Sequence, residues 1–270
     1  MATSLLILTD FFQAADAALN YATNLAAPLD ARLVLLHVRR DSVLDPEMFT
    51  GQLSNLSREA IHLALSSLAR DLSVPVVAEV GHGRVAFAVA DAVSRHHPAL
   101  VVLGRHDASG TPDELVTTTA LDILRTAPYP LLVVPHTVRN PGLPRRVLLA
   151  TDGEEFTLGQ FAGTARHLLN ALHAELTILH VTPNNSATAD TTALDSVTRT
   201  GLTADLLTVH SRTVTAARPA EGILQLAPEY DVLLLIARRR SFLGQLFHHS
   251  VTAEVVRRSP VPVLVLPAQE

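Results

Sequence analysis

Few residues in this chain have the type and spacing to do chemistry. Arg238-Arg239-Arg240 closes an apolar run, and three guanidinium groups together could hold an anion by charge, although the same run also suits a solvated loop. Gly81-His82-Gly83-Arg84-Val85-Ala86 fits the Gly-x-Gly-x-x-Ala turn that brings backbone amides up to a pyrophosphate, with Asp107 further on. The 13 histidines include the adjacent pairs His96-His97 and His248-His249. No set has the i, i+4 spacing with further ligands that a helical metal site needs, and His62 stands alone. Walker A, Gly-x-Ser-x-Gly and His-Glu-x-x-His sequences are absent, so no nucleophile stands beside a base, although chance Ser, His and Asp triads stay open. Cysteine is absent too, which excludes thiolate metal sites, iron–sulfur clusters, disulfides and Cys nucleophiles.

Composition narrows the partners. Of 270 residues 48% are hydrophobic, 17% charged and 4% aromatic, with no Trp, so a globular core must be built from Leu, Val, Ile and Ala. A net charge of −5 gives no global attraction to nucleic acid or to an anionic membrane, and neither partner is expected. The longest apolar runs, Leu131 to Val134, Val85 to Ala90 and Val232 to Ala237, fall far short of a membrane span. Met1 to Asp10 has no basic region before its apolar run and reads as a first strand, not a signal peptide.

The elements that position these residues come twice. Ser4 to Asp10 returns as Arg146 to Asp152, Arg32 to Val38 as Glu175 to Val181, Pro98 to Gly104 as Asp231 to Ala237, and Ala127 to Pro135 as Ser259 to Pro267. The offset falls from 142 at the aspartates to 132 at the closing prolines, so the second half has lost ten residues, and Thr182 to Thr203 is where they fit. Each half reads as five mostly apolar strands alternating with helices, the pattern of a parallel sheet covered on both faces. Strands are expected at 4–9, 32–38, 75–80, 99–104 and 130–135, then at 146–151, 175–181, 205–210, 231–237 and 261–266. His136 to Pro144 is the linker between domains at 1–138 and 145–270. Prolines bracket both last strands, which suits sheet edges, and two such edges in one chain could pair as an internal pseudo-dimer.

The duplicated order of Leu-Thr-Asp10 and Ala-Thr-Asp152, Leu-His-Val38 and Leu-His-Val181, Ala217-Arg-Pro-Ala-Glu-Gly-Ile223 and the proline-bracketed last strands resembles a tandem universal stress protein. The resemblance implies an α/β fold of two repeated five-stranded parallel domains, Rossmann-like and of the HUP type, pairing through their last strands, with room for a homodimer. It implies a cytoplasmic stress role and, in some members, binding of ATP or another adenine nucleotide. It places Asp10 and Asp152 near ribose or adenine, although an Asp there also caps a helix or binds loop amides. Val38 and Val181 would offer backbone contacts to adenine.

The family's phosphate motif, similar to Gly-x2-Gly-x9-Gly-Ser/Thr, is degraded in both halves. The first keeps Gly104 but has Asp107 at the second glycine and Thr117-Thr118 at the closing pair; the second has Ala237, Arg240 and His249-Ser250. A carboxylate and β-branched residues oppose phosphate, whereas Arg239 and its neighbours could attract it. Second-half anion binding with loss in the first is therefore one expectation. The Gly81 turn is read as a plain helix start, because its repeat is Thr215-Ala-Ala217-Arg-Pro219-Ala220. His37 and His180, equivalent in the repeat, are read as satisfied core or cleft-edge histidines. The leading expectation is a non-enzymatic stress protein with degenerate clefts; an ATP-binding member with slow hydrolysis and an interaction module with vestigial clefts are the alternatives.

Overall fold

Leucine- and valine-rich runs of five to nine residues alternate with helices that are apolar on one side only, and a parallel sheet with two helical layers is the arrangement that buries both. The computed structural model describes residues 3–9, 13–39, 58–105, 118–139, 142–183, 189–238 and 250–268. The first half runs β1 (Thr3–Leu8), α1 (Gln13–Ala26), β2 (Ala31–Arg39), α2 (Arg58–Arg70), β3 (Val76–His82), α3 (Val85–His96), β4 (Leu100–Arg105), α4 (Thr118–Thr126) and β5 (Leu131–Pro135). The second runs β6 (Arg146–Thr151), α5 (Phe161–Ala171), β7 (Glu175–Thr182), α6 (Ala189–Thr198), β8 (Val209–Thr215), α7 (Pro219–Leu226), β9 (Val232–Arg238), α8 (Val251–Arg258) and β10 (Val263–Ala268).

All ten strands join one sheet in the order β3-β2-β1-β4-β5-β10-β9-β6-β7-β8. Every neighbouring pair is parallel except β5 with β10, which run antiparallel through Val133↔Val263, Leu132↔Leu264 and Leu131↔Val265. That seam makes the two repeats an internal pseudo-dimer. Alternating strand residues feed two cores. Leu5, Ile7, Leu33 and Leu35 join α1, α2, α5 and α6 on one face, and Leu6, Val34, Leu36 and Val101 join α3, α4, α7 and α8 on the other.

The third strand of the second half departs from the expected 205–210 and lies at Val209–Thr215. Leu206-Leu207 reads as strand, but the chain is still turning there: Gly201 and Asp205 hold left-handed φ of 74° and 69°, and Leu207 is 95% exposed. An edge strand with a solvated side carries His210, Ser211, Arg212 and Thr213 where a central one carries valines, so hydrophobicity points to the wrong run. The helix before it is short at ten residues, as the lost segment requires.

Two glycines set how closely helices sit on the sheet. A Cβ on Gly81 would stand 2.9 Å from the Ala88 Cβ, and one on Gly222 would stand 2.7 Å from Val181 Cγ1. Charged clamps tie helices and strands at the periphery. The Arg95 guanidinium donates to both Glu79 oxygens at 2.6 and 3.1 Å, joining α3 to β3. Asp231 accepts from the backbone N–H groups of Arg145 and Arg146 and from the Arg146 side chain, each at 2.9 Å, fixing the start of β6 beside β9. Burial pushes both carboxyls up, but these donors outweigh it and hold Glu79 and Asp231 below the ordinary carboxylate range.

Depressed native pKa values favour the folded state above the unfolded carboxyl pKa of about 4 and lose that contribution as pH falls through the lower native values. Urea titrations should therefore show Glu79→Gln and Asp231→Asn losing stability relative to the parent at pH 7, with the difference vanishing in acid. Gly222→Val should cost roughly 1–3 kcal/mol in the same assay, because α7 must lift from β7.

Candidate functional site

In an open parallel sheet the ligand crevice lies beyond the strand carboxyl ends, where the order reverses. Here those points fall between β1 and β4 and between β6 and β9. The first is rimmed by Thr9, Gly104 and Arg105, the second by Thr151, Asp152, Ala237 and Arg238. Sheet adjacency thus brings the residue after each first strand close to the end of each fourth strand, although they are 86 residues apart in the second half.

There the two meet as an ion pair. The Arg238 guanidinium donates to Asp152 through Nη2 at 2.7 Å to Oδ1 and through Nε at 3.1 Å to Oδ2. It also donates from Nη1 to the Glu155 carbonyl at 2.8 Å and from Nη2 to the Glu154 carbonyl at 2.9 Å. Its carbon lies 5.8 Å from the centroid of the Phe156 ring, within cation–π range. Arg238 is only 9% exposed, and the loop Asp152 to Phe156 is wrapped around it. Asp152 further accepts the Glu154 N–H at 3.1 Å, a turn that Gly153 permits with a φ of 79°. Arg238 is therefore neither a solvated loop residue nor an open anion ligand.

The equivalent residue of the first half reaches across the seam. Arg105 crosses the seam and donates to the Val256 carbonyl at 2.6 Å and the Ser259 carbonyl at 2.7 Å, capping the last turn of α8. The repeated histidines also diverge. His37 Nδ1–H donates to the Thr9 carbonyl at 2.9 Å, whereas His180 Nδ1 is buried without a partner. The reading of both as satisfied is thus corrected for His180. Gly153 lies beside it, close enough that a Cβ there would be 3.3 Å from His180 Cε1.

The other sequence-derived residues are placed as follows. Val38 is the penultimate residue of β2, opposite Gly81, and Val181 is the penultimate residue of β7, opposite Val214 with its side chain under Gly222. Gly104 and Ala237 are the penultimate residues of β4 and β9. Ser250 is the N-cap of α8, its Oγ accepting the Ala253 N–H at 3.1 Å. Thr118 begins α4. Asp10, Thr117 and Arg239 lie outside the described residues, as do Asp107, Arg240 and the His248-His249 pair. Gly81 lies within β3, so the Gly-x-Gly-x-x-Ala match is a close strand–helix contact followed by a helix start at Val85. Among the described residues no group of three or more His, Asp or Glu side chains could hold a metal ion. No described helix is long and apolar enough to cross a membrane.

Arg105 and Arg238 are the residues that linear reading undervalued. A signal was present: both occupy the same repeat position, one residue past the first glycine of the degraded motif, and the strand order puts that position beside the end of the first strand.

A doubly wound α/β sheet, repeated and paired edge to edge, with its crevices at the crossover points, defines the class of fold. Within that class the universal stress protein family model matches residues 1–135 and 144–267, and the chain belongs to this family. Among solved structures, a universal stress protein from Archaeoglobus fulgidus is similar over 98% of both chains, at 21% identity and a TM-score of 0.72. A functionally unknown protein from Pseudomonas aeruginosa is 18% identical, covering 99% of this chain and 93% of its own, with a TM-score of 0.64. The cytoplasmic domain of a prokaryotic cation chloride cotransporter is 12% identical over 98% and 95%, with a TM-score of 0.57. At these identities the likeness is one of fold. No curated protein matches the chain.

If Arg238 holds the loop, Arg238→Ala should lower stability by about 1–3 kcal/mol, the range for losing charged hydrogen bonds at a partly exposed partner. Hydrogen exchange should then quicken at residues 152–156 and stay unchanged in β1 to β3.

Proposed function

We propose that this universal stress protein is a non-enzymatic, cytoplasmic stress-response protein whose two nucleotide-type clefts are degenerate. The observation that carries the reading is the Arg238–Asp152 pair: in the second half the carboxylate that would meet a nucleoside and the cation that would meet phosphate are spent on each other. The first half supports it from another direction, since Arg105 is committed across the seam to α8. The motif glycines that would let amides approach phosphate are replaced at Asp107, Ala237 and Arg240. The domains of this proposal are residues 1–138 and 145–270, each with one vestigial cleft, and its binding partners are proteins and not nucleic acid.

Mass spectrometry of the gently isolated chain should find no stoichiometric adenine nucleotide, and phosphate release from ATP should not exceed that of buffer. Stoichiometric ATP without phosphate release would replace this reading with that of an ATP-binding member. Phosphate release that survives repurification would make the chain an ATPase.

A further inference from the structure

The second cleft is filled by the protein's own anion. A carboxylate on the Nε and Nη2 edge of a guanidinium takes the bidentate place that two phosphate oxygens take when arginine binds a phosphoryl group. We propose that Asp152 is a built-in counter-ligand, and that Arg238 is the core of a phosphate site closed by it. This deepens the degenerate-cleft reading and rests on it: the site is shut in the resting chain, not erased.

Three observations converge on this. Arg238 is almost wholly buried while Asp152 is 55% exposed at the side chain, so the cation is fixed by the fold and the anion sits on the solvent side of it. An incoming phosphate would approach from that side and compete for the same fork. The partner carboxylate also belongs to a loop, not to a strand: Asp152 follows β6, and its neighbours Glu154 and Glu155 lend only carbonyls to Arg238.

The third observation concerns His180. Beside the closed loop its Nδ1 is buried and unpartnered, whereas the equivalent His37 in the first half bonds the Thr9 carbonyl. A buried donor or acceptor without a partner disfavours the arrangement that creates it. Gly153, whose left-handed φ of 79° shapes the turn that follows Asp152, lies beside this histidine, with room for no more than a tight Cβ. The closed loop is thus held by the ion pair and packs beside a histidine nitrogen that a rearranged loop could partner, so closure and opening each satisfy a different group.

Asp152→Asn keeps the side-chain shape and removes the competing charge. Isothermal titration of the full chain with inorganic phosphate, ATP and adenosine should show Asp152→Asn binding phosphate or ATP at least about tenfold more tightly than the parent, and adenosine no better. The gain should vanish in Asp152→Asn/Arg238→Ala. Equal gains for phosphate and ATP identify free phosphate as the ligand, and a gain for ATP alone identifies a nucleotide. The proposal is overturned if neither anion gains, or if the gain survives loss of Arg238. Asp152→Ser, checked like the others by thermal melting, guards against a local fold defect in the Asn variant. Tight binding by the parent itself would instead overturn the degenerate-cleft reading, so the two failures are distinguishable.

Discussion

Three residue pairs carry the architecture: Val133, Leu132 and Leu131 against Val263, Leu264 and Val265. Each half alone would end its sheet on a short, buried-type strand with open backbone groups and valine or leucine side chains on both faces. An edge of that kind recruits another strand. Duplication supplies one in the same chain, and the antiparallel meeting of β5 and β10 converts two exposed edges into the centre of a ten-stranded sheet. The outer edges are then β3 and β8, whose polar residues tolerate solvent.

Once the seam exists, equivalent positions stop being equivalent. The residue after the fourth-strand glycine position reaches a helix end across the seam in one half, and in the other it is enclosed by its own crevice loop. Arg105 satisfies the Val256 carbonyl of α8 and that of its C-cap Ser259, and Arg238 satisfies Asp152 and two loop carbonyls. Both uses obey one constraint: a guanidinium drawn out of water must fill its donors. A buried arginine at a ligand crevice therefore ends up ligated, either by a guest or by the protein.

Much of the frame was legible in the sequence. The self-similarity from Asp10 and Asp152 to Pro135 and Pro267 revealed two repeats, and continuous apolar runs marked central strands, because burial on both faces leaves no room for polar alternation. The edge strand β8 was misplaced for the complementary reason: Leu206-Leu207 is more apolar than the true strand, and only pairing of Leu176 with Val209 sets where it begins. Gly81 resembled a phosphate turn, yet its lack of a side chain answers to Ala88, a contact between elements that periodicity does not report.

Sequence alone determined the duplication, the alternation of strands and helices in each repeat, the loss of the phosphate glycines and the exclusion of cysteine chemistry, since these follow from local composition and spacing. Tertiary structure alone decided that Arg238 binds Asp152, that Arg105 serves the other half, and that His37 is partnered while His180 is not. Those outcomes depend on which side chains the sheet order brings within 3 Å of each other. Hydrogen bonds are won by distance and direction, and residue type sets only which of them are available.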